Sequence, residues 1–65
     1  MDTMTTTTNT LSADLLTDGW TVVDAHGGRW FPAPDALVEI EAADDPAATA
    51  VEICEREPMR GTWHD

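Results

Sequence analysis

The chain has 65 residues with thirteen Asp and Glu against three arginines and no lysine, and its formal charge is −10 with a pI near 4.1. This length allows one domain, and the single cysteine, Cys54, excludes an intramolecular disulfide. No apolar run reaches the roughly 20 residues of a membrane helix, and residues 1–10 have neither the basic nor the apolar stretch of a secretory signal. We therefore expect a soluble cytoplasmic protein with a reduced thiol and no membrane contact.

The first part of the chain divides into a tail and a short helix. Residues 1–10, which read MDTMTTTTNT, are low in complexity and rich in threonine, so we predict a disordered tail. The leucines of residues 11–16 have helical spacing, and Ser12 is a suitable N-cap. This pattern predicts one or two helical turns that end at residues 18–19. A single domain is expected to span residues 11–65.

A β-hairpin is the strongest local prediction. Residues 20–24 and 29–32 are rich in aromatic and β-branched side chains, and both therefore predict strands. Between them, Gly27 and Gly28 can supply the positive φ angles of a tight turn.

The favoured register of this hairpin centres the turn on residues 26–27. It pairs Val23 with Trp30 and Val22 with Phe31, so that Trp30 faces outward when Phe31 faces the core. A turn centred one residue later is the alternative.

Two helices are expected after the hairpin. Apolar and polar side chains alternate over residues 35–43, as they do in a strand. Pro34 is well suited to the first turn of a helix, however, and alanines lie at both ends of the segment, so helix is favoured and strand is the alternative. Residues 46–56 predict a clearer helix, because Asp45 is an N-cap before a proline and Pro58 ends the segment.

These elements predict an α+β fold. It consists of a β-hairpin, one or two helices packed on one face, and a short extended segment over residues 59–65. Few large apolar groups are available for burial, which leaves little stability after chain entropy and favours association with a second chain. The expected core comprises Trp20, Val22 or Val23, Phe31, Leu37, Ile40, Val51, Ile53, Cys54 and Trp63.

Catalysis and metal binding are disfavoured by the residue types present. Cys54, His26 and His64 are the only soft ligands, and they lack the close spacing that marks a metal site. A Cys–His pair also requires a cleft that so small a body has little room to form. We expect no catalytic residue, no metal, no cofactor and no enzymatic activity. A small metal- or thiol-dependent protein that uses Cys54 and a histidine is the second alternative function.

Nucleic acid binding is the first alternative, as a transcription-associated DNA-binding accessory protein. Arg29, Arg56 and Arg60 are the only cationic phosphate donors, and their scatter along the chain gives no basic face. The two predicted helices could form a helix-turn-helix, but the second is acidic and would read bases poorly. Direct contact with nucleic acid is therefore disfavoured.

The aromatic and arginine residues favour an interaction surface. Three tryptophans, with Arg29 beside Trp30 and Arg60 near Trp63, form the mixture that is enriched at protein interfaces. The alternative is that tryptophan simply fills a small core. We predict partner binding by Arg29, Trp30, Arg60 and Trp63. The predicted function is therefore that of a non-enzymatic interaction or regulatory module. It would either form a homodimer through the hairpin face or bind another protein.

In its lysine-free and carboxylate-rich composition, the whole chain resembles the small acidic proteins of haloarchaea. The resemblance rests on no catalytic motif. It implies a halophilic cytoplasm and no particular activity.

If the chain is halophilic, its fold should depend on salt. Self-repulsion at a charge of −10 opposes compaction, whereas molar salt shortens the Debye length to about 3 Å. Thermal melts followed by circular dichroism should show a rising melting temperature as potassium chloride increases. A cooperative melt that is unchanged in low-salt buffer would contradict the halophilic assignment.

Overall fold

The computed structural model describes residues 11–64, which form a four-stranded antiparallel sheet with two helices. The strands lie side by side in chain order, from β1 to β4. The predicted α+β class is confirmed, and the tail predicted over residues 1–10 lies outside the described residues. The elements are β1 (Ser12–Leu16), β2 (Gly19–Val23), β3 (Arg29–Pro32), α1 (Pro34–Ala42), α2 (Pro46–Arg56), a 3-10 turn (Pro58–Arg60) and β4 (Gly61–His64).

The helix predicted near residues 11–16 is wrong, because this segment is strand β1. It pairs with β2 over its whole length, from Ser12 opposite Val23 to Leu16 opposite Gly19. Residues four apart share a face in a helix and also in a strand, so the leucine spacing fits both. A helix this short is unstable alone, whereas pairing with β2 satisfies one side of the β1 backbone. Gly19, with φ of 122°, begins β2 directly after the two-residue connection of residues 17–18.

The turn between β2 and β3 is longer than predicted. The backbone N–H of Asp24 donates to the carbonyl of Gly28 (3.1 Å), which leaves three residues in the loop. The Asp24 carboxylate accepts from the N–H groups of His26 and Gly28, both at 2.9 Å. Gly27 adopts φ of 87°, as the last residue of a three-residue hairpin loop requires.

This extra loop residue shifts the predicted hairpin register by one. Val22 pairs with Trp30, and Val23 pairs with Arg29. A shift of one residue reverses the face of every side chain in a strand. Trp30 is therefore fully buried, and Phe31 is exposed, which is the reverse of the prediction.

Both helices lie where they were expected. α1 is a helix and not the alternative strand, and it buries Ala36 and Ile40. In α2, the Asp45 carboxylate caps the first turn by accepting from the N–H of Ala48 (3.2 Å), and the buried residues include Cys54. Neither helix of residues 11–64 is long and apolar enough to cross a membrane.

The core is built around Trp30. Its indole N–H donates to the Pro58 carbonyl (3.0 Å), which ties β3 to the turn before β4. A Cβ atom at Gly61 would collide with the indole ring, so only glycine lets β4 pass this close. The buried cluster comprises Val22, Trp30, Ile40, Ala50, Ile53 and Cys54.

We expect Gly61→Ala to destabilise the fold by about 1–3 kcal/mol, because the added methyl group overpacks the Trp30 indole. Urea unfolding followed by circular dichroism measures the change. Gly28→Ala is the comparison variant, since its methyl group would have the Asp24 carboxylate as its nearest contact, without the collision with ring and backbone atoms found at Gly61, and its loss of stability should be smaller. Equal losses of stability in the two variants would contradict the close approach of Gly61 to Trp30.

Candidate functional site

The helices cover one face of the sheet and leave the other face open. Residues that are paired across neighbouring strands share a face, so Ala13, Val22, Trp30 and Trp63 lie on the helix face. The alternate residues of each strand lie on the opposite side. We call this side the open face; it carries Ser12, Asp14, Leu16, Gly19, Thr21, Val23, Arg29, Phe31, Thr62 and His64.

The open face carries partly exposed apolar side chains on β3 and at the end of β1. Phe31 is 39% exposed and Leu16 is 37% exposed. The Phe31 ring meets the His64 ring edge to face, with centroids 5.3 Å apart. Thr21 of the same face is buried and donates its hydroxyl to the Trp30 carbonyl (2.7 Å), so it leaves no unsatisfied donor there. The open face therefore offers apolar surface that water covers in the isolated chain.

A groove of about 190 Å³ continues this apolar surface around one end of the sheet. Its wall joins the open face to the start of α1, where Leu37 lies close to Gly19. The groove is large enough to accept one apolar side chain from another molecule. Its lining consists of Leu16, Asp18, Gly19, Trp20, Phe31, Pro32 and Leu37.

Arg29 supplies a free cation on the same strand and face as Phe31. It lies on the open face directly opposite His64 of β4. Within residues 11–64 it makes no ion pair, whereas Arg56 pairs with Glu52 at 3.6 Å. An exposed guanidinium without a carboxylate partner can bind an anionic group of another molecule.

Arg60 is instead engaged inside the fold. Its guanidinium contacts Glu39 at 3.0 Å and Glu57 at 3.1 Å, and it approaches Asp35 at 3.8 Å. The hydrogen bonds to Glu57 and then to Glu39 raise the pKa of Arg60 above its ordinary value. Arg60 thus joins α1 to the turn after α2, and its positive charge is already paired with carboxylates of its own chain.

The structure separates the four residues that the sequence predicted to bind a partner. Arg29 lies on the open face, as an interaction residue should. Trp30 is fully buried, so its side chain cannot contact a partner while the chain is folded. Trp63 is 41% exposed and lies opposite Trp30 on the helix face, at the edge strand β4. Arg60 is held by carboxylates of its own chain.

Sequence reasoning missed Phe31 and His64 as members of this surface. The register error placed Phe31 in the core, and His64 was considered only as a soft ligand or as part of a frayed tail. The signal that could have found them is Asp24, because an aspartate whose carboxylate bonds to the backbone two and four residues later favours a three-residue loop. That loop length alone turns Phe31 outward.

Cys54 does not have the environment of a reactive thiol. It is only 4% exposed, and burial, followed by the charges of Glu55 and Asp24, raises its pKa from 9.0 to about 11. The thiolate is the nucleophilic and metal-binding form, and it is disfavoured here. Residues 11–64 also contain no group of three or more His, Cys, Asp or Glu side chains placed to hold a metal ion.

Stability should fall as pH rises from 9.0 towards 11, because the raised pKa means that the folded state holds the Cys54 proton more tightly than the unfolded state. The chain has no lysine and no tyrosine, so Cys54 is the one side chain expected to titrate in this range. Urea melts across this pH range measure the slope. Cys54→Ala should flatten it, and a slope that persists in this variant would contradict the assignment.

Among the described residues, the feature suited to molecular recognition is thus a partly apolar sheet face with one free guanidinium. A second groove, of about 250 Å³, differs in character, because its lining includes the carboxylates of Glu39, Glu52 and Glu57 that pair with Arg56 and Arg60. The chain matches no protein-family model, no curated protein and no solved structure with which it was compared.

Proposed function

We propose that the chain is a non-enzymatic protein-interaction or regulatory module of a salt-rich cytoplasm, and that it docks a partner protein on the open face. One observation carries this proposal. The helices protect only one side of the sheet, so Phe31 and Leu16 each remain more than a third exposed on the same face as the unpaired Arg29. Aromatic residues and arginine are enriched where proteins bind one another.

The chemistry of this surface defines the partner. Phe31 and Leu16 require apolar side chains opposite them, and Arg29 requires a carboxylate that it can bind through two parallel hydrogen bonds. Burial of apolar area persists at molar salt, and so does a short-range ion pair inside a desolvated contact. The expected partner is therefore a protein surface or segment with apolar side chains around an Asp or Glu.

No observation favours the two alternative functions. Arg56 and Arg60 already bind carboxylates of this chain, so Arg29 is left as one phosphate donor, which is too few for a nucleic acid contact. Cys54 is buried with a raised pKa. A thiol in that state is a poor nucleophile and a poor metal ligand.

Phe31→Asp should weaken partner binding by about 30-fold or more, the loss typical of a central interface residue. A tagged chain in molar potassium chloride first identifies a stoichiometric partner, and calorimetry with the purified partner then measures Kd. Arg29→Ala should weaken binding less, because one charged contact is lost while the apolar area remains.

Val38→Asp is the matched control, since Val38 is a largely exposed apolar residue on α1, away from the open face. It should leave Kd unchanged. Equal weakening by Phe31→Asp and Val38→Asp, or full retention of binding by a folded Phe31→Asp variant, would refute docking on the open face.

A further inference from the structure

Within residues 11–64, the two edge strands of the sheet differ in how well they are protected. An edge strand presents unpaired N–H and C=O groups to other chains, and proteins block such edges with charges, prolines or bulges. The edge strand β1 carries Asp14 at its centre. The edge strand β4 reads Gly-Thr-Trp-His and carries no carboxylate and no proline. Its register with β3 is unbroken from Gly61 to His64.

The backbone phase of β4 shows which residue faces outward. The N–H of Ala33 donates to the Arg60 carbonyl at 2.8 Å, one step beyond the last β3–β4 pair. Hydrogen-bonded and non-hydrogen-bonded pairs alternate in an antiparallel ladder. Phe31 and Thr62 therefore form a hydrogen-bonded pair, whereas Trp63 faces Trp30 without backbone hydrogen bonds. Both the N–H and the C=O of Trp63 consequently point away from β3, towards the open edge.

We propose that two copies of this chain dimerise by pairing their β4 strands antiparallel about a two-fold axis at Trp63. Each Trp63 N–H donates to the Trp63 carbonyl of the second copy, which uses both outward groups of both strands. The N–H of Gly61 already donates to the Pro58 carbonyl, so Trp63 is the residue of β4 whose donor and acceptor are both available. The interface is self-complementary, as two-fold symmetry requires.

Side chains and charges favour a second copy as the occupant of this edge. The Trp63 side chain is 41% exposed, and the pairing sets it opposite the Trp63 side chain of the second copy as a cross-strand aromatic pair. Thr62 then lies opposite His64 of the second copy, so no carboxylate of β4 faces another. Self-pairing of β1 about its centre would instead set Asp14 against Asp14, which like-charge repulsion opposes.

The assembly would be one eight-stranded sheet. A two-fold axis perpendicular to the sheet keeps all helices on one side and joins the two open faces on the other. The dimer goes beyond the proposed docking function, because the edges can pair whether or not the open face binds a partner. Phe31→Asp tests docking on the open face, and a change at Trp63 tests the β4 dimer. Either proposal can therefore be refuted without affecting the other.

Sedimentation equilibrium in molar potassium chloride tests the dimer. The wild-type chain should have about 14 kDa, twice its 7.1 kDa, and dimerisation should strengthen with salt because two chains of charge −10 repel each other. Trp63→Asp should raise the dimer Kd by at least about tenfold, since it removes the aromatic pair and sets two carboxylates together. Leu15→Asp places the same charge on the exposed part of the other edge strand, and it should remain dimeric.

Amide hydrogen exchange of the wild-type chain provides a test that does not depend on any variant. The Trp63 N–H should be protected at dimer concentrations and should exchange rapidly on dilution. The Thr62 N–H faces β3 and should be protected equally in both conditions. The inference is overturned if the chain stays monomeric at high concentration in molar salt, if the dimer leaves the Trp63 N–H unprotected, or if folded Trp63→Asp dimerises like the wild type.

Discussion

Burial of the Trp30 indole is the constraint on which the rest of the structure depends. The ring lies between the sheet and the helices with no exposed surface, and its N–H is satisfied by the Pro58 carbonyl. That bond fixes the turn after α2 next to β3, and Gly61 provides the space in which β4 can then run alongside the ring. A single side chain thus connects the hairpin, the end of the helical layer and the last strand. In a domain of this size, such burial supplies a large share of the net stability.

The same constraint determines which surfaces are left for function. With Trp30 inward, its neighbour Phe31 must lie on the open face, where it meets His64 and lies on the same strand as Arg29. The three arginines are then divided by role. Arg60 binds Glu39 of α1 and Glu57, which follows α2, and Arg56 pairs with Glu52 within α2. Among the described residues, Arg29 alone is available to another molecule. Docking is assigned to the side chains of Phe31, Leu16 and Arg29 and assembly to the Trp63 backbone and side chain, so the two can occur on one molecule.

The sequence could predict part of this surface and not the rest. Arg29 was identified from its aromatic neighbours, and the structure places it on the open face. Arg60 was chosen for the same reason, but its carboxylate partners come from Glu39 on α1 and from Glu57 after α2, and their convergence depends on how the helices pack. The predicted two-residue loop is one residue shorter than the observed loop, and that difference sets Trp30 outward in the prediction. The glycines by themselves do not resolve that length, since Gly27 and Gly28 permit more than one tight turn, and Asp24 is the local residue that favours the longer loop.

The sequence by itself determined the elements whose ends are marked by prolines or by capping side chains. Pro34 opens α1, Asp45 caps α2 before a proline, and Pro58 ends it, because proline and side-chain caps act on the backbone within a few residues. Tertiary structure alone decided that residues 11–16 form a strand and that Trp30, not Phe31, enters the core. Leucines four residues apart share one face in a helix and in a strand. Hydrogen bonding to the edge of β2 therefore selected the strand. The hairpin register followed from two hydrogen bonds to the Asp24 carboxylate and from the space for an indole ring above Gly61. The Asp24 bonds are local, whereas Gly61 and Trp30 become neighbours only after the chain has folded.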